Sequence, residues 1–344
     1  MSTSLSPDEL VSCPVEELTI SAPPARWHGP MLTLGTHCRG ESWVIAGPQD
    51  VAAALASAAL SVAPAAGQEG PAAQLIARMA RFSDGTEHDR RRDLLVSMLP
   101  QVPTVGAAAG ARANDYLRRR TAAFDIMPMA RQLPAEVLAQ ALGLPTAAAE
   151  RAATLTGVLC DAVTPSLPPR EGTRSAGDAA AMELTGVVAD GFGWPDTDRV
   201  TAAISILFQA REATAALIGA TVLAGRGGTV ASAAQRVDDV LRRDAPVQCT
   251  RRTAVRDTSV GAARIPAGAA VWIFVATAEH GDGRPATFGS GSHGCPGAAH
   301  ATAIARQIAA VLAAEGWRPA PGQRIELERR PNVRVPVRVL VTRP

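Results

Sequence analysis

Ten residues toward the C-terminal end of the chain, Phe288-Gly289-Ser290-Gly291-Ser292-His293-Gly294-Cys295-Pro296-Gly297, place glycines and a proline around one cysteine. Directly after them, Ala298 to Ala314 is dominated by Ala, Ile, Leu and Val at helical spacing and stops before Gly316, which predicts a helix starting at the cysteine loop. The cysteine then sits at a helix N-terminus. Unpaired backbone N–H groups and the positive end of the helix dipole favour a thiolate there, and Pro296 in the first turn gives up no needed donor. Gly289, Gly291, Gly294 and Gly297 let the backbone pass close to something flat and bulky, or take positive φ without penalty. A thiolate presented this way is a metal ligand or a nucleophile.

The same residues admit other readings. Gly289-x-Gly291-x-x-Gly294, with Glu315 about 20 residues further on, satisfies the dinucleotide fingerprint, but Glu279 to Pro285 before it reads as a loop and not as the strand that a dinucleotide-binding turn requires. Cys295 paired with His293 or His300 would be a catalytic nucleophile. A glycine-rich loop around a buried structural cysteine is the plainest possibility.

The complete pattern Phe-Gly-x-Gly-x-His-x-Cys-x-Gly, from Phe288 to Gly297, resembles the haem-binding loop of the cytochrome P450 family. The resemblance implies haem b with Cys295 as its axial thiolate, and Phe288, Gly289, His293 and Gly297 in contact with the cofactor. It runs in order from about Ser83 to the C-terminus. His88 and Arg92, four apart on one face of a predicted helix, match a family pair that contacts the haem propionates, two carboxylates that need cationic partners. Asp239-Val240-Leu241-Arg242 stands where the family has Glu-x-x-Arg, and Asp244 to Arg252 follows the family closely. That stretch implies Arg251 as a further propionate partner and Val247, Gln248 and Cys249 as lining of the substrate pocket.

A helix predicted from about Asp198 to Ala224 would span roughly 40 Å. In the family the matching helix passes over the haem with an acid and a threonine that deliver protons to oxygen. Here the acid is Glu212, the threonine position holds Ala213, and the small residue at the family's kink is Gln209. Thr214 is a poor substitute, being turned about 100° away. Glu212 and Gln209 are the expected catalytic positions, and the substrate is expected near Gln209, Ala213 and Val247. The alternative for Gln209, Arg211 and Glu212 is that they face water or another helix.

The composition narrows the partners. A formal charge of +2 and 3% aromatics argue against nucleic acid. Every basic residue is arginine, which reads first as genome composition. Five scattered cysteines point to a reducing cytoplasm, and neither a signal peptide nor an apolar stretch of membrane-spanning length is apparent, so a soluble, cytoplasmic protein is expected. Met31 to Leu34 and Ser42 to Ile45 read as strands and Pro48 to Ala59 as a helix. Ser83 or Asp84 is expected to cap a helix through Leu99, Pro165 to Gly177 to form the loop where the family places its substrate lid, and Ala231 to Arg243 to be helical. In the tail, Ile325 to Leu327 and Val333 to Val341 alternate as paired strands do, turning at Pro331-Asn332.

The expected fold is therefore mainly α with small β-sheets, a trimmed P450-like haem-thiolate domain over residues 25–344 behind an N-terminal extension of residues 1–24. The resemblance implies oxidative tailoring of a small-molecule substrate such as a secondary metabolite, with electrons from a ferredoxin-type donor. Ala213 also admits peroxide-driven oxidation, dehydration or rearrangement. An accessory subunit that activates a partner enzyme such as a glycosyltransferase is the remaining alternative.

Overall fold

The computed structural model describes residues 37–39, 42–62, 69–163, 172–225, 232–277, 286–328, 330 and 332–343. In chain order these form β1 (His37–Arg39), β2 (Ser42–Ile45), α1 (Pro48–Ala56), β3 (Leu60–Ser61), α2 (Pro71–Ala77), α3 (Gly85–Met98), α4 (Val102–Leu117), β4 (Phe124–Asp125), α5 (Met127–Leu142), α6 (Thr146–Val163), α7 (Thr173–Phe192), α8 (Thr197–Ala224), α9 (Ala233–Arg243), β5 (Thr250–Ala254), β6 (Thr258–Val260), β7 (Ala263–Ile265), β8 (Ala270–Ile273), α10 (Ala298–Ala314), β9 (Arg318–Pro319) and β10 (Leu340–Thr342). The chain divides into two compact units, one of Met1–Pro64, Leu241–Cys295 and Arg329–Arg334, the other of Ala65–Val240, Pro296–Glu328 and Val335–Pro344.

The first unit is built on a sheet in the order β1-β2-β8-β5-β3. β2 and β8 run parallel, from Ser42 beside Ala270 to Ile45 beside Ile273, while β5 and β8 pair antiparallel with Arg251 beside Trp272. Alternation in β5 buries Arg252 and Ala254 and turns Arg251 and Thr253 outward, as a period of two dictates. Ile45, Val51, Leu55, Leu60, Val260, Ile265, Val271 and Ile273 form one apolar cluster, so α1 and the β6–β7 hairpin close over the sheet. Gly261, at φ +56, turns that hairpin.

The second unit is helical around α8. By length and hydropathy α8 would pass for a membrane span, which corrects the expectation that no stretch reaches that length. Its surroundings assign it to the core: Val200 to Phe208 and Thr214 to Gly219 are buried throughout. Between these two stretches, Gln209 to Ala213 are half-exposed. Gly219 lets α8 approach α5, where an added Cβ would meet Met127 Sδ at 3.0 Å. Asp196 caps the helix, accepting from the Asp198 N–H at 2.8 Å.

Helices α6 and α7 touch at Gly177, where a Cβ would stand 2.2 Å from that of Ala162. Gly177→Ala is therefore expected to lower stability by about 1–3 kcal/mol, read as a fall in thermal midpoint, and adding Ala162→Gly should recover most of the loss. Failure of the double variant to recover would reject this packing.

Asp198 ties α8 to α3 by accepting from Arg90 at 2.7 Å, with Arg78 3.5 Å away. The hydrogen bond from Arg90 holds the Asp198 carboxyl below its ordinary value although partial burial pulls the other way. A depressed folded value means the contribution is complete above the ordinary carboxylate range and is lost as pH falls through the depressed one. Wild type and Asp198→Asn should thus differ in thermal midpoint at neutral pH and converge in acid. The difference should be small and shrink in high salt, because the pair is 49% and 40% exposed. A difference that persists in acid would sink this account.

Several boundaries depart from expectation. α1 stops at Ala56, because Leu60 and Ser61 are drawn into the sheet beside Ala254 and Thr253. At α3 neither expected side-chain cap forms: Asp84 occupies the cap position with no side-chain cap hydrogen bond, and the Ser83 hydroxyl donates back to the Ala80 carbonyl at 3.0 Å. α7 begins at Thr173, inside the stretch expected as a loop. α9 begins at Ala233 behind a reciprocal cap, with Gln235 N–H donating to Ser232 Oγ at 3.2 Å and Ser232 N–H to Gln235 Oε1 at 2.8 Å. The expected tail pairing forms only as a short antiparallel bridge, with Glu328 N–H donating to Val335 O and Val337 N–H to Glu326 O at 2.8 Å each. There Leu327 bridges Pro336, while Val333 bridges Val247 and Leu340–Thr342 joins β4 and β9. Pro336 has no N–H to extend a ladder. The expected extension of residues 1–24, the strand at Met31 to Leu34, residues 165–171 of the lid loop and the turn residue Pro331 lie outside the described residues.

Candidate functional site

In the first unit the cysteine loop is two short 3-10 turns, Ala286–Phe288 and Gly291–His293, closed on itself. The Cys295 N–H donates to the Phe288 carbonyl at 2.8 Å, Gly289 N–H to Ala286 at 2.7 Å and Gly294 N–H to Gly291 at 3.1 Å. Gly289 and Gly291 stand at φ +67 and +66, where a side chain would be strained. Gly297, at φ −91, has no such need. The backbone thus turns outward and leaves Cys295 exposed, whereas Cys160 and Cys249 are buried. Exposure removes the reading of Cys295 as a buried structural thiol. A 3-10 turn in place of a strand before Gly289 disfavours the dinucleotide reading.

The segment behind the loop is held by its main chain. Gln248 donates its N–H to Asn332 O at 3.0 Å, and its carbonyl accepts from Ala276 N–H at 3.1 Å. The Gln248 side chain is wholly buried and donates to the Ala245 carbonyl, so of Val247, Gln248 and Cys249 only Val247 presents surface. Asp244 and Arg334 lie 3.6 Å apart beside this segment, and burial pushes the Asp244 carboxyl up while Arg334 opposes the shift. Arg251 is exposed with its guanidinium 5.8 Å from the Trp272 ring centre, and has no acidic partner among the described residues. His293 and Phe288 are half-buried.

In the second unit, α3 carries His88, 2% exposed, with Nδ1 3.0 Å from the Asp89 carboxylate. Arg90 and Arg91 are committed to Glu87, Asp198 and the Ala77 carbonyl. Arg92, half-buried and one turn from His88, has neither ion pair nor hydrogen bond among the described residues. A partly buried cation without a counter-ion suits an anion that the protein itself does not supply.

At the centre of α8, Gln209 Nε2 donates to Ser205 Oγ at 2.8 Å and to Ser205 O at 3.3 Å, and Ala213 lies one turn on along the same face. Ser205 was not among the expected site residues, although its position four before Gln209 signals the contact. Glu212 points elsewhere, onto the side of α8 that meets α5. It pairs with Arg211 and lies 3.8 Å from Arg131, which in turn pairs with Glu328. Arg211 crosses to α6 over Gly157. His300, considered as a partner for the cysteine, is buried with Nε2 2.7 Å from the Pro100 carbonyl oxygen.

The donor set fits a haem. Among the described residues no three His, Cys, Asp or Glu side chains gather to hold a metal ion. In the first unit Cys295 offers a soft sulfur ligand and Arg251 a cation with no acidic partner among the described residues; in the second unit Arg92 is likewise a cation with no acidic partner among them.

No protein-family model and no curated protein matches the chain. Solved structures do match in fold. The crystal structure of CalO2 superposes with a TM-score of 0.77 at 18% identity over 99% of both chains. P450BioI, crystallised with an acyl carrier protein bearing hexadec-9Z-enoic acid, gives 0.73 at 17% identity over 93% of this chain and 98% of its own. PksS, the cytochrome P450 of the bacillaene polyketide synthase of Bacillus subtilis 168, gives 0.69 at 18% identity over 88% and 90%. The chain has the cytochrome P450 fold.

Proposed function

We propose, with the cytochrome P450 fold as premise, that this chain is a haem-thiolate oxidoreductase acting on a small molecule. One observation carries the reading: an exposed Cys295 on a glycine-built loop whose shape is set by the Cys295 N–H bond to Phe288. Haem b, when bound, would supply the iron at which oxygen or peroxide is activated for oxidation of the substrate. Cys295 would hold its iron through the thiolate sulfur and donate electron density to it. Arg92 and Arg251 would neutralise propionates, with His88 and His293 as hydrogen-bonding partners, and Phe288, Gly289 and Gly297 would line the ring.

Gln209, Ala213 and Val247 are proposed to face the substrate, with Gln248 supporting Val247 from behind. Ala213 has no hydroxyl to pass a proton, and Glu212 is engaged by Arg211 and Arg131. A substrate hydroxyl or an ordered water would then carry the proton, or peroxide would replace oxygen and reductant. The fold likeness to PksS, a polyketide-synthase P450, supports a secondary-metabolite substrate, and that to P450BioI supports a substrate presented on a carrier protein. Electrons are proposed to come from a ferredoxin-type donor in the cytoplasm.

The test is the visible spectrum of the purified full chain, reduced and exposed to carbon monoxide. A Soret band at the red-shifted, thiolate-ligated position is expected. A protein that purifies without haem and cannot be reconstituted would refute the enzyme reading in favour of an accessory subunit.

A further inference from the structure

We infer that His300 is a positioning residue, which fixes the first turn of α10, and with it the chain leading to Cys295, to the Pro100 carbonyl at the junction of α3 and α4. The inference rests on the haem-thiolate reading for its functional consequence, and on the geometry of one unit for the tie itself. His300 is 7% exposed, and its Nε2 lies 2.7 Å from Pro100 O. A carbonyl only accepts, so Nε2 carries the proton and Nδ1 is left with a lone pair. Nδ1 is buried and has no hydrogen-bond partner among the described residues. Packing alone would be served better by an aliphatic side chain, which buries no unpaired nitrogen. What the imidazole adds is the bond to Pro100.

That bond stands where it controls register. Gly106 and Gly110 of α4 lie against Ala303 and Gln307 of α10, so His300, Ala303 and Gln307 follow one another along the face of α10 that meets α4. Small residues let two helices approach closely and resist sliding poorly. A directional hydrogen bond at one end supplies the missing restraint. Pro100 follows α3, the helix carrying His88 and Arg92, after only Leu99, and Cys295 is joined to α10 through only Pro296 and Gly297, where the proline ring stiffens the link. Fixing α10 to the α3–α4 junction therefore limits where the chain bearing the sulfur can go.

Two full-chain variants separate the bond from the packing. His300→Gln keeps an N–H donor of similar reach, and His300→Leu keeps the bulk without the donor. In the haem-loaded protein, His300→Leu is expected to cut the ratio of thiolate-ligated to displaced carbon monoxide complex about tenfold, and His300→Gln to keep the wild-type ratio. In the haem-free protein, exchange of the Val105 amide, which donates to the Gln101 carbonyl at 3.2 Å, should quicken about tenfold in His300→Leu and not in His300→Gln. A His300→Leu protein with the wild-type ratio, or Gln and Leu variants that lose it equally, overturns the positioning role. Unchanged exchange in His300→Leu overturns the tie itself. If the wild type takes up no haem, the haem reading falls, and with it the consequence for the thiolate, while the exchange arm still decides whether His300 fastens α10.

Discussion

Cys295→Ala is expected to fold normally and to bind haem more than about 100-fold more weakly, with no band at the thiolate position in the reduced carbon monoxide complex. The reason lies in how the loop is held. Its conformation comes from main-chain bonds, Cys295 N–H to Phe288 O at 2.8 Å and Gly294 N–H to Gly291 O at 3.1 Å, and from positive φ at Gly289 and Gly291. An exposed sulfur can be removed without touching any of these. Thermal midpoint and helix content should therefore stay near wild type while the spectrum changes completely. Gly291→Ala should do the reverse, because strain at φ +66 deforms the loop while the ligand remains, giving a mixture of thiolate-ligated and displaced states. Cys295→Ala with an unaltered spectrum and turnover would remove the basis of the haem-thiolate reading.

Arg131→Leu is expected to lower stability by about 3 kcal/mol, because it takes the shared cation from two carboxylates that are mostly out of water. Arg131 is 19% exposed and lies between Glu212 and Glu328, which are 12% and 21% exposed. Leucine would take Arg131 away from both Glu212, which keeps its pairing with Arg211, and Glu328. For a unit of this size the loss corresponds to a fall of roughly 6–12 °C in thermal midpoint. The double variant Arg131→Leu with Glu328→Gln should recover part of it, since the pair is coupled. A loss below about 1 kcal/mol would mean that the network is solvated and contributes little. Glu212→Gln then separates structure from chemistry: lower stability with unchanged turnover per folded molecule makes Glu212 a counter-ion, and lower turnover at unchanged stability returns it to the proton path.

Ser42–Ile45, α8 and α10 lie close to where local pattern predicts them, because apolar periodicity and end signals such as Gly316 depend on neighbours in the chain. The Ser232-x-x-Gln235 cap is equally legible in the residues. The tail was legible only in part, its Leu327–Pro336 bridge standing where the alternation predicts it. Its alternation is real, but which strand Leu340–Thr342 joins depends on Phe124–Asp125 and Arg318–Pro319, the first of them more than two hundred residues away.

For the site the division is similar. Phe288 to Gly297 names the cysteine, the glycines and the helix behind them without any fold, since the chemistry of a presented thiolate needs only that local order. Its resemblance to a haem-binding loop pointed to the fold that the solved structures share. Tertiary structure alone decided what each polar side chain is occupied with. Glu212 could have faced a substrate or a salt bridge, and the packing of α8 on α5 turned it to Arg131. Arg90, Arg91 and Arg92 are one run in the sequence, yet only Arg92 has no partner among the described residues, because Asp198, Glu87 and the Ala77 carbonyl come within reach of the other two. Residue type sets which interactions a side chain can make, and the fold sets which groups are close enough to make them.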